Sequence, residues 1–158
     1  MTPIDEPLSD EPLSDEPLID GAILATLEGI VGQGRVLTDA DSLLQYGRDW
    51  TRAYSPRPAA VVLPSTIEQV QDVVRLAARE QLAIVPSGGR TGLSAGAVAR
   101  NGELVLALDR LNHIEDFNPV DRTVRCGAGV ITAQLQQCAE GQGTDRRGFT
   151  AAVRPRLD

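Results

Sequence analysis

The chain has 158 residues, a formal net charge of −7, and is 42% hydrophobic and 23% charged. That length suits one domain with a real core, since single domains run to roughly 100–200 residues. The chain has no lysine, so its permanent positive charges are all arginine, and the acidic balance argues against nonspecific nucleic-acid binding, which depends on neutralising phosphates. No apolar run approaches the roughly 18 residues of a membrane span, and the acidic start lacks the basic and apolar regions of a secretory signal. The chain therefore reads as cytoplasmic. Cys126 and Cys138 have no CxxC spacing, which suits idle thiols in a reducing compartment.

Residues 1–19 repeat one tetrapeptide at a five-residue period: Asp5-Glu6-Pro7-Leu8, Asp10-Glu11-Pro12-Leu13, Asp15-Glu16-Pro17-Leu18. The period is too short for a solenoid unit, the prolines remove amide donors and the acidic pairs repel. A disordered tail is expected, with a partner-docking segment as the alternative.

Residues 20–140 read as the folded part. Ile23, Leu27, Ile30 and Val31 recur at helical spacing, and Asp39 or Asp41 can cap a short helix through Leu43, Leu44 and Tyr46. Ala60-Val61-Val62-Leu63 is a short strand ended by Pro64. Ser65 or Thr66 then caps a helix, with Glu68 and Gln69 near capping-box spacing and Ile67, Val70, Val73, Val74 and Ala77 on one face. Residues 82–86 form the next strand, giving a strand–helix–strand unit on a parallel pair. Glu103-Leu104-Val105-Leu106-Ala107-Leu108 is apolar enough to be buried on both faces. Residues 114–118 and 123–126 read as two strands joined by a turn at Pro119-Val120-Asp121-Arg122, and residues 131–139 as a closing helix. The fold class is α+β: a small parallel β-α-β subdomain, then the start of a second, mainly antiparallel one.

Between the second and third of these strands lies Pro86-Ser87-Gly88-Gly89-Arg90-Thr91-Gly92-Leu93-Ser94-Ala95-Gly96. Glycines tolerate positive φ and let a ligand approach without Cβ clashes, and successive amides in such a turn form an anion-binding concavity. Ser87, Thr91 and Ser94 add hydroxyl donors and Arg90 a cation. A P-loop is excluded because the chain has no lysine, and a dinucleotide fingerprint because position 87 is Ser and no long helix follows. On the residues alone, a phosphate-binding loop and an ordinary glycine-rich connection both stand.

The loop, with Pro64-Ser65-Thr66 ahead of a helix, resembles the flavin domain of vanillyl-alcohol oxidase and para-cresol methylhydroxylase (PCMH) relatives. Asp109-Arg110-Leu111-Asn112, Asn118-Pro119 and Ala128-Gly129-Val130 match the D-2-hydroxyglutarate, D-lactate and glycolate dehydrogenase branch in order and spacing, over roughly residues 40–140. The UDP-N-acetylenolpyruvylglucosamine reductase group shares that fold, but Thr91-Gly92-Leu93-Ser94 fits it poorly. The resemblance implies FAD as cofactor, with its pyrophosphate wrapped by the amides of Gly88, Gly89, Arg90, Thr91, Gly92, Leu93 and Ser94. Pro86 would end the strand that aims the loop, Ser87 would open it, and Gly129 would lie near the cleft. Covalently flavinylated relatives often carry His where this loop has Arg90, which implies noncovalent FAD.

The lone His113 reads as an exposed side chain at a strand entry, with a catalytic role as the lesser alternative. Arg48-Asp49-Trp50 and Tyr54 also occur in the branch, and both a packing role and contact with substrate-side structure stand. The sequence assigns no catalytic residue and no metal ligand. Within the family the small-molecule partner would be a 2-hydroxy acid, oxidised to a 2-oxo acid; the alternative is an FAD- or nucleotide-binding fragment without activity, including a decayed gene product.

Residues 141–158 crowd Arg146, Arg147, Arg154 and Arg156 without apolar periodicity. A shift of reading frame between about Gln137 and Gly143 is expected here. With a suitable choice of codons, residues 152–158 encode Gly-Ser-Ser-Gln-Ile-Gly in the neighbouring frame, part of a motif that the branch carries at this point. On this reading the chain is the N-terminal, flavin-binding part of a longer enzyme.

Overall fold

The computed structural model describes residues 18–141. The acidic repeat, up to Pro17, and the arginine-rich tail beyond Gly141 lie outside the described residues. Ile19, placed by the sequence at the end of the repeat segment, is buried in the core.

Helix α1 (Gly21–Val31) begins where the Asp20 carboxylate accepts the Ala22 N–H at 2.8 Å, and it ends at Gly32, whose φ of 97° favours glycine. Strand β1 (Val36–Leu37) is too short for its apolar pattern to register in the sequence. Helix α2 (Ala40–Tyr46) is capped by Asp39, which accepts the Ser42 N–H at 2.9 Å. Strand β2 (Ala60–Val62) follows. Helix α3 (Ile67–Arg79) starts at Thr66, whose hydroxyl accepts the Gln69 N–H. Gln69 answers by accepting from the N–H and hydroxyl of Ser65, one residue ahead of the usual capping-box partner. Then come β3 (Ile84–Ser87), β4 (Leu104–Ala107), β5 (Ile114–Asn118), β6 (Thr123–Cys126) and α4 (Thr132–Gly141).

The first four strands form one sheet in the order β1-β2-β4-β3. The sequence places β2 and β3 side by side; instead β4 lies between them, parallel to both, with Val105 opposite Val61 on one side and Val85 on the other. The reason is hydrophobic: all four β4 residues are buried, so β4 takes the centre. Pro86 sits on the edge strand β3, where its missing donor breaks no inner ladder.

Strand alternation divides the core. Ala60, Val62, Leu104 and Leu106 face α1 and α3, where Leu27, Val31, Val73 and Leu76 cover them. Val61, Val105 and Ala107 face the other way, against Leu43 and Tyr46 of α2 and Ala99. On α3 the buried arc is Val73, Leu76 and Ala77, while Ile67 and Val74 are exposed, contrary to the expected face. Ile67 sits in the first turn, and Val74 is rotated about 100° from Val73, outside the arc.

Strands β5 and β6 form an antiparallel hairpin. Its turn is the expected one: the Asn118 side chain accepts the N–H groups of Val120 and Asp121, each at 3.0 Å. The chain after β6 then packs tightly on the chain after β4. Gly127 N–H donates to His113 O at 2.8 Å, and Gly129 N–H to Leu111 O at 2.9 Å. A Cβ on Gly129 would lie 2.0 Å from the Leu108 carbonyl oxygen, and one on Gly127 2.0 Å from that of Leu111.

Those contacts are with backbone, which cannot swing aside. Gly129→Ala is therefore expected to destabilise the chain by about 1–3 kcal/mol, read as a lower urea midpoint. Gly88→Ala, whose Cβ would meet nothing within 4 Å, is expected to stay within about 0.5 kcal/mol of the parent. Equal midpoints for the two variants would contradict this packing.

Candidate functional site

Parallel strands deliver their carboxyl ends to one edge of the sheet, and in open α/β sheets ligands bind outside that edge. Here the glycine loop leaves β3, Asp109 follows β4, and Pro64-Ser65 follows β2. A cleft of about 460 Å³ opens between Gly88, Gly89, Arg90 and Thr91 on one side and residues 128–132 on the other, with Asp109 in its wall. A second cleft of about 400 Å³ shares Asp109 and adds Ser65, Arg110, Asn112 and His113. Gly129 thus lines the first cleft with the loop. The exposed His113 lies at the second, away from the glycines.

The loop glycines do not take the positive φ angles that the sequence suggested for them. The left-handed residues are Arg90 (φ 55°) and Ala95 (φ 59°). The Cβ directions of Gly88, Gly92 and Gly96 lead into open space, and a Cβ on Gly89 would meet only Thr91 Oγ1, at 3.9 Å. Packing among the described residues therefore does not require glycine at these positions. A ligand approaching the backbone closely would require it.

Arg90 is not a free cation. Its guanidinium makes a two-pronged pair with Asp109, at 2.7 and 3.2 Å, and lies 4.7 Å from the centre of the Tyr46 ring. The Asp109 hydrogen bonds raise its pKa above the ordinary arginine value, against the opposing effect of burial. Ser87 is fully buried, so its hydroxyl, offered by the sequence as a ligand donor, turns inward. It accepts from Arg90 at 3.3 Å and donates to Tyr46 O at 3.5 Å. Thr91, Gly92, Leu93 and Ser94 are exposed, Leu93 at 72%. Arg90 and Ser87 thus anchor the start of the loop, while the stretch from Thr91 to Ser94 is exposed.

The far end of the loop is tied by Asp49, whose part the sequence left undecided. Its carboxylate is buried and accepts from Thr51 N–H (3.0 Å), Thr51 Oγ1 (2.6 Å) and, across 46 residues of sequence, Ala95 N–H (2.8 Å). Beside it, Trp50 N–H donates to Gly92 O at 3.3 Å. All three of these bonds are made within the chain. An Asp two residues before Thr signals a local turn, but nothing in the sequence announces the distant amide.

These bonds, the Thr51 hydroxyl foremost, hold the Asp49 carboxyl below its ordinary pKa. A depressed acid stabilises the fold fully above its unfolded value and loses that contribution as pH falls through the folded one. The stability gap between the parent chain and Asp49→Asn is therefore expected to be largest near neutrality and to shrink on acidification below the ordinary carboxylate range. Urea midpoints across that range check it; a gap that widens toward acid would contradict it.

The chain matches the family model described as FAD binding domain over residues 58–147. It is 56% identical to D-2-hydroxyglutarate dehydrogenase of Stutzerimonas stutzeri (strain A1501) over 124 residues, covering 78% of this chain and 27% of that protein. It is 51% identical to the enzyme of that name from Xanthomonas citri pv. viticola over 120 residues, covering 76% and 25%. The chain thus spans about a quarter of the length of these curated relatives. Among solved structures, p-cresol methylhydroxylase with substrate bound superposes with a TM-score of 0.65 at 23% identity, over 77% of this chain and 24% of that one. That likeness is one of fold, and it bears out the α+β, PCMH-type architecture. With the family model matched across more than half its length, the chain belongs to the FAD binding domain family, whose cofactor is FAD.

Proposed function

We propose that this chain supplies the pyrophosphate-binding part of the FAD site in a flavoenzyme that oxidises a D-2-hydroxy acid, D-2-hydroxyglutarate or a close analogue, to the 2-oxo acid. The observation that carries the reading is the glycine loop at the carboxyl edge of the sheet, with Cβ directions that meet open space. Residues 88–94 would hold the FAD pyrophosphate through backbone amides, and Gly129 would border the same cleft. Pro86 and Ser87 end the edge strand that aims the loop, Ser87 from within. When bound, FAD supplies the hydride-accepting chemistry, and the protein's part is to bind and orient it.

Arg90 supports noncovalent binding. It stands where covalently flavinylated relatives often carry His, and its guanidinium is engaged by Asp109. With that charge already matched, the loop meets the diphosphate with N–H dipoles, as anion-binding turns do. The division into residues 1–19, 20–140 and 141–158 and a cytoplasmic location belong to the same reading. Among the described residues, no helix is long and apolar enough to cross a membrane.

The test is the visible absorption spectrum of the purified chain after addition of excess FAD and gel filtration. A retained flavin band is expected. Gly92→Ala is expected to weaken FAD binding at least tenfold without lowering Tm, because its Cβ meets only the space proposed for the ligand. A colourless chain, or a variant that binds like the parent, would sink the proposal. Oxidation of D-2-hydroxyglutarate is read on the chain joined to the remainder of the dehydrogenase it matches at 56% identity, where a flavin band without oxidation would favour the alternative of an FAD-holding chain without activity.

A further inference from the structure

We infer that Asp49 is a positioning residue for the cofactor loop, fixing its far end through the Ala95 amide before any ligand arrives. The inference rests on the proposed role of that loop in holding FAD.

Among the described residues, Asp49 is the one buried residue with a charged side chain, at 4% exposure. Burying a carboxylate is costly unless it is hydrogen-bonded, so its partners identify what it holds. Two of its bonds are local, to the N–H and hydroxyl of Thr51, and they aim the carboxylate. The third reaches Ala95 N–H at 2.8 Å. Ala95 sits at φ 59°, a region that residues with a Cβ adopt at a cost and keep only when their surroundings insist.

The adjacent Trp50 N–H holds Gly92 O, so the short stretch around Asp49 grips the loop at two places three residues apart. Leu93 and Ser94 lie between the grips and are exposed, so the placing of their amides follows from these ties. A loop ordered in advance spares the ligand the entropic cost of ordering it, which is how Asp49 would raise FAD affinity without touching FAD.

The experiment pairs two readouts on the full chain. Asp49→Asn keeps the shape and one acceptor oxygen but sets an NH2 group against the Ala95 N–H. It is expected to raise the exchange rate of the Ala95 amide at least tenfold, leave the amides of the central strand such as Val105 little changed, and weaken FAD binding about tenfold. Adding Ala95→Gly to that variant is expected to restore part of the FAD affinity, because glycine reaches φ 59° without the strain that the Ala95 Cβ adds. Several results would overturn the inference: unchanged Ala95 exchange, exchange raised equally throughout the sheet, or no recovery with glycine. If the parent chain takes up no FAD, the proposed function fails, and the exchange of Ala95 against Val105 still decides whether Asp49 holds the loop.

Discussion

Strand β4 sets the rest of the molecule in place. Its four residues are buried, and it pairs in parallel with β2 on one side and β3 on the other. Parallel pairing sends the three chain exits the same way, so Ser65, the glycine loop and Asp109 meet at one edge although they are scattered along the sequence. The crossover through α3 makes this possible by carrying the chain past the β4 position before β4 exists. The two faces of the sheet are then closed by α1 and α3 on one side and by α2 on the other. Helix α2 delivers Tyr46 beneath Arg90, which ties a core-facing helix to the start of the loop.

At that edge the loop is organised by charges matched inside the protein. The Arg90–Asp109 pair is partly exposed, with side chains 22% and 35% accessible, so its net contribution to stability is modest. Its geometric consequence is larger. Two parallel N–H···O bonds and the Tyr46 ring below fix the guanidinium in one orientation, and with it a left-handed residue in the middle of a glycine-rich stretch. Asp49 does the same for Ala95 by a different route, burying its charge among three donors. Both non-glycine left-handed positions in the loop thus carry a tie to a carboxylate, while Gly92, the one glycine between them, is exposed.

Much of this fold is legible in the sequence because its elements are locally consistent. Asp39 and Thr66 mark their helices, Pro64 and Pro86 fall at strand ends, and Asn118-Pro119 makes the turn that its side chain and ring geometry favour. The strand order is not legible, because β2, β3 and β4 are all short apolar runs, and only their packing decides which one is central. Strand β1 escapes notice because two residues carry no period. The face of α3 is misjudged at Ile67 and Val74 because apolar character alone does not say where a helix overhangs its sheet. At the site, the loop and Gly129 are found from residue type and resemblance. Asp49 and the pairing of Arg90 are not, because each depends on a partner many residues away whose proximity exists only once the sheet has formed.

The glycines carry the last distinction that the sequence cannot make. Gly88, Gly92, Gly127 and Gly129 look alike in a one-dimensional reading, and all four lie in the matched family region. Gly127 and Gly129 are required from within: a Cβ there would fall 2.0 Å from a backbone carbonyl oxygen, so the hairpin could not dock on the chain after β4. Gly88 and Gly92 are required by nothing among the described residues, since their Cβ directions are empty to 4 Å. A residue with no side chain weakens a chain that gains nothing from it, because it adds entropy to the unfolded state. Where the described residues do not need the glycine, a ligand resting against its backbone would give a reason for it. For this loop, at the carboxyl edge of a parallel sheet and with its own arginine already paired, that is the space in which the proposed diphosphate would lie.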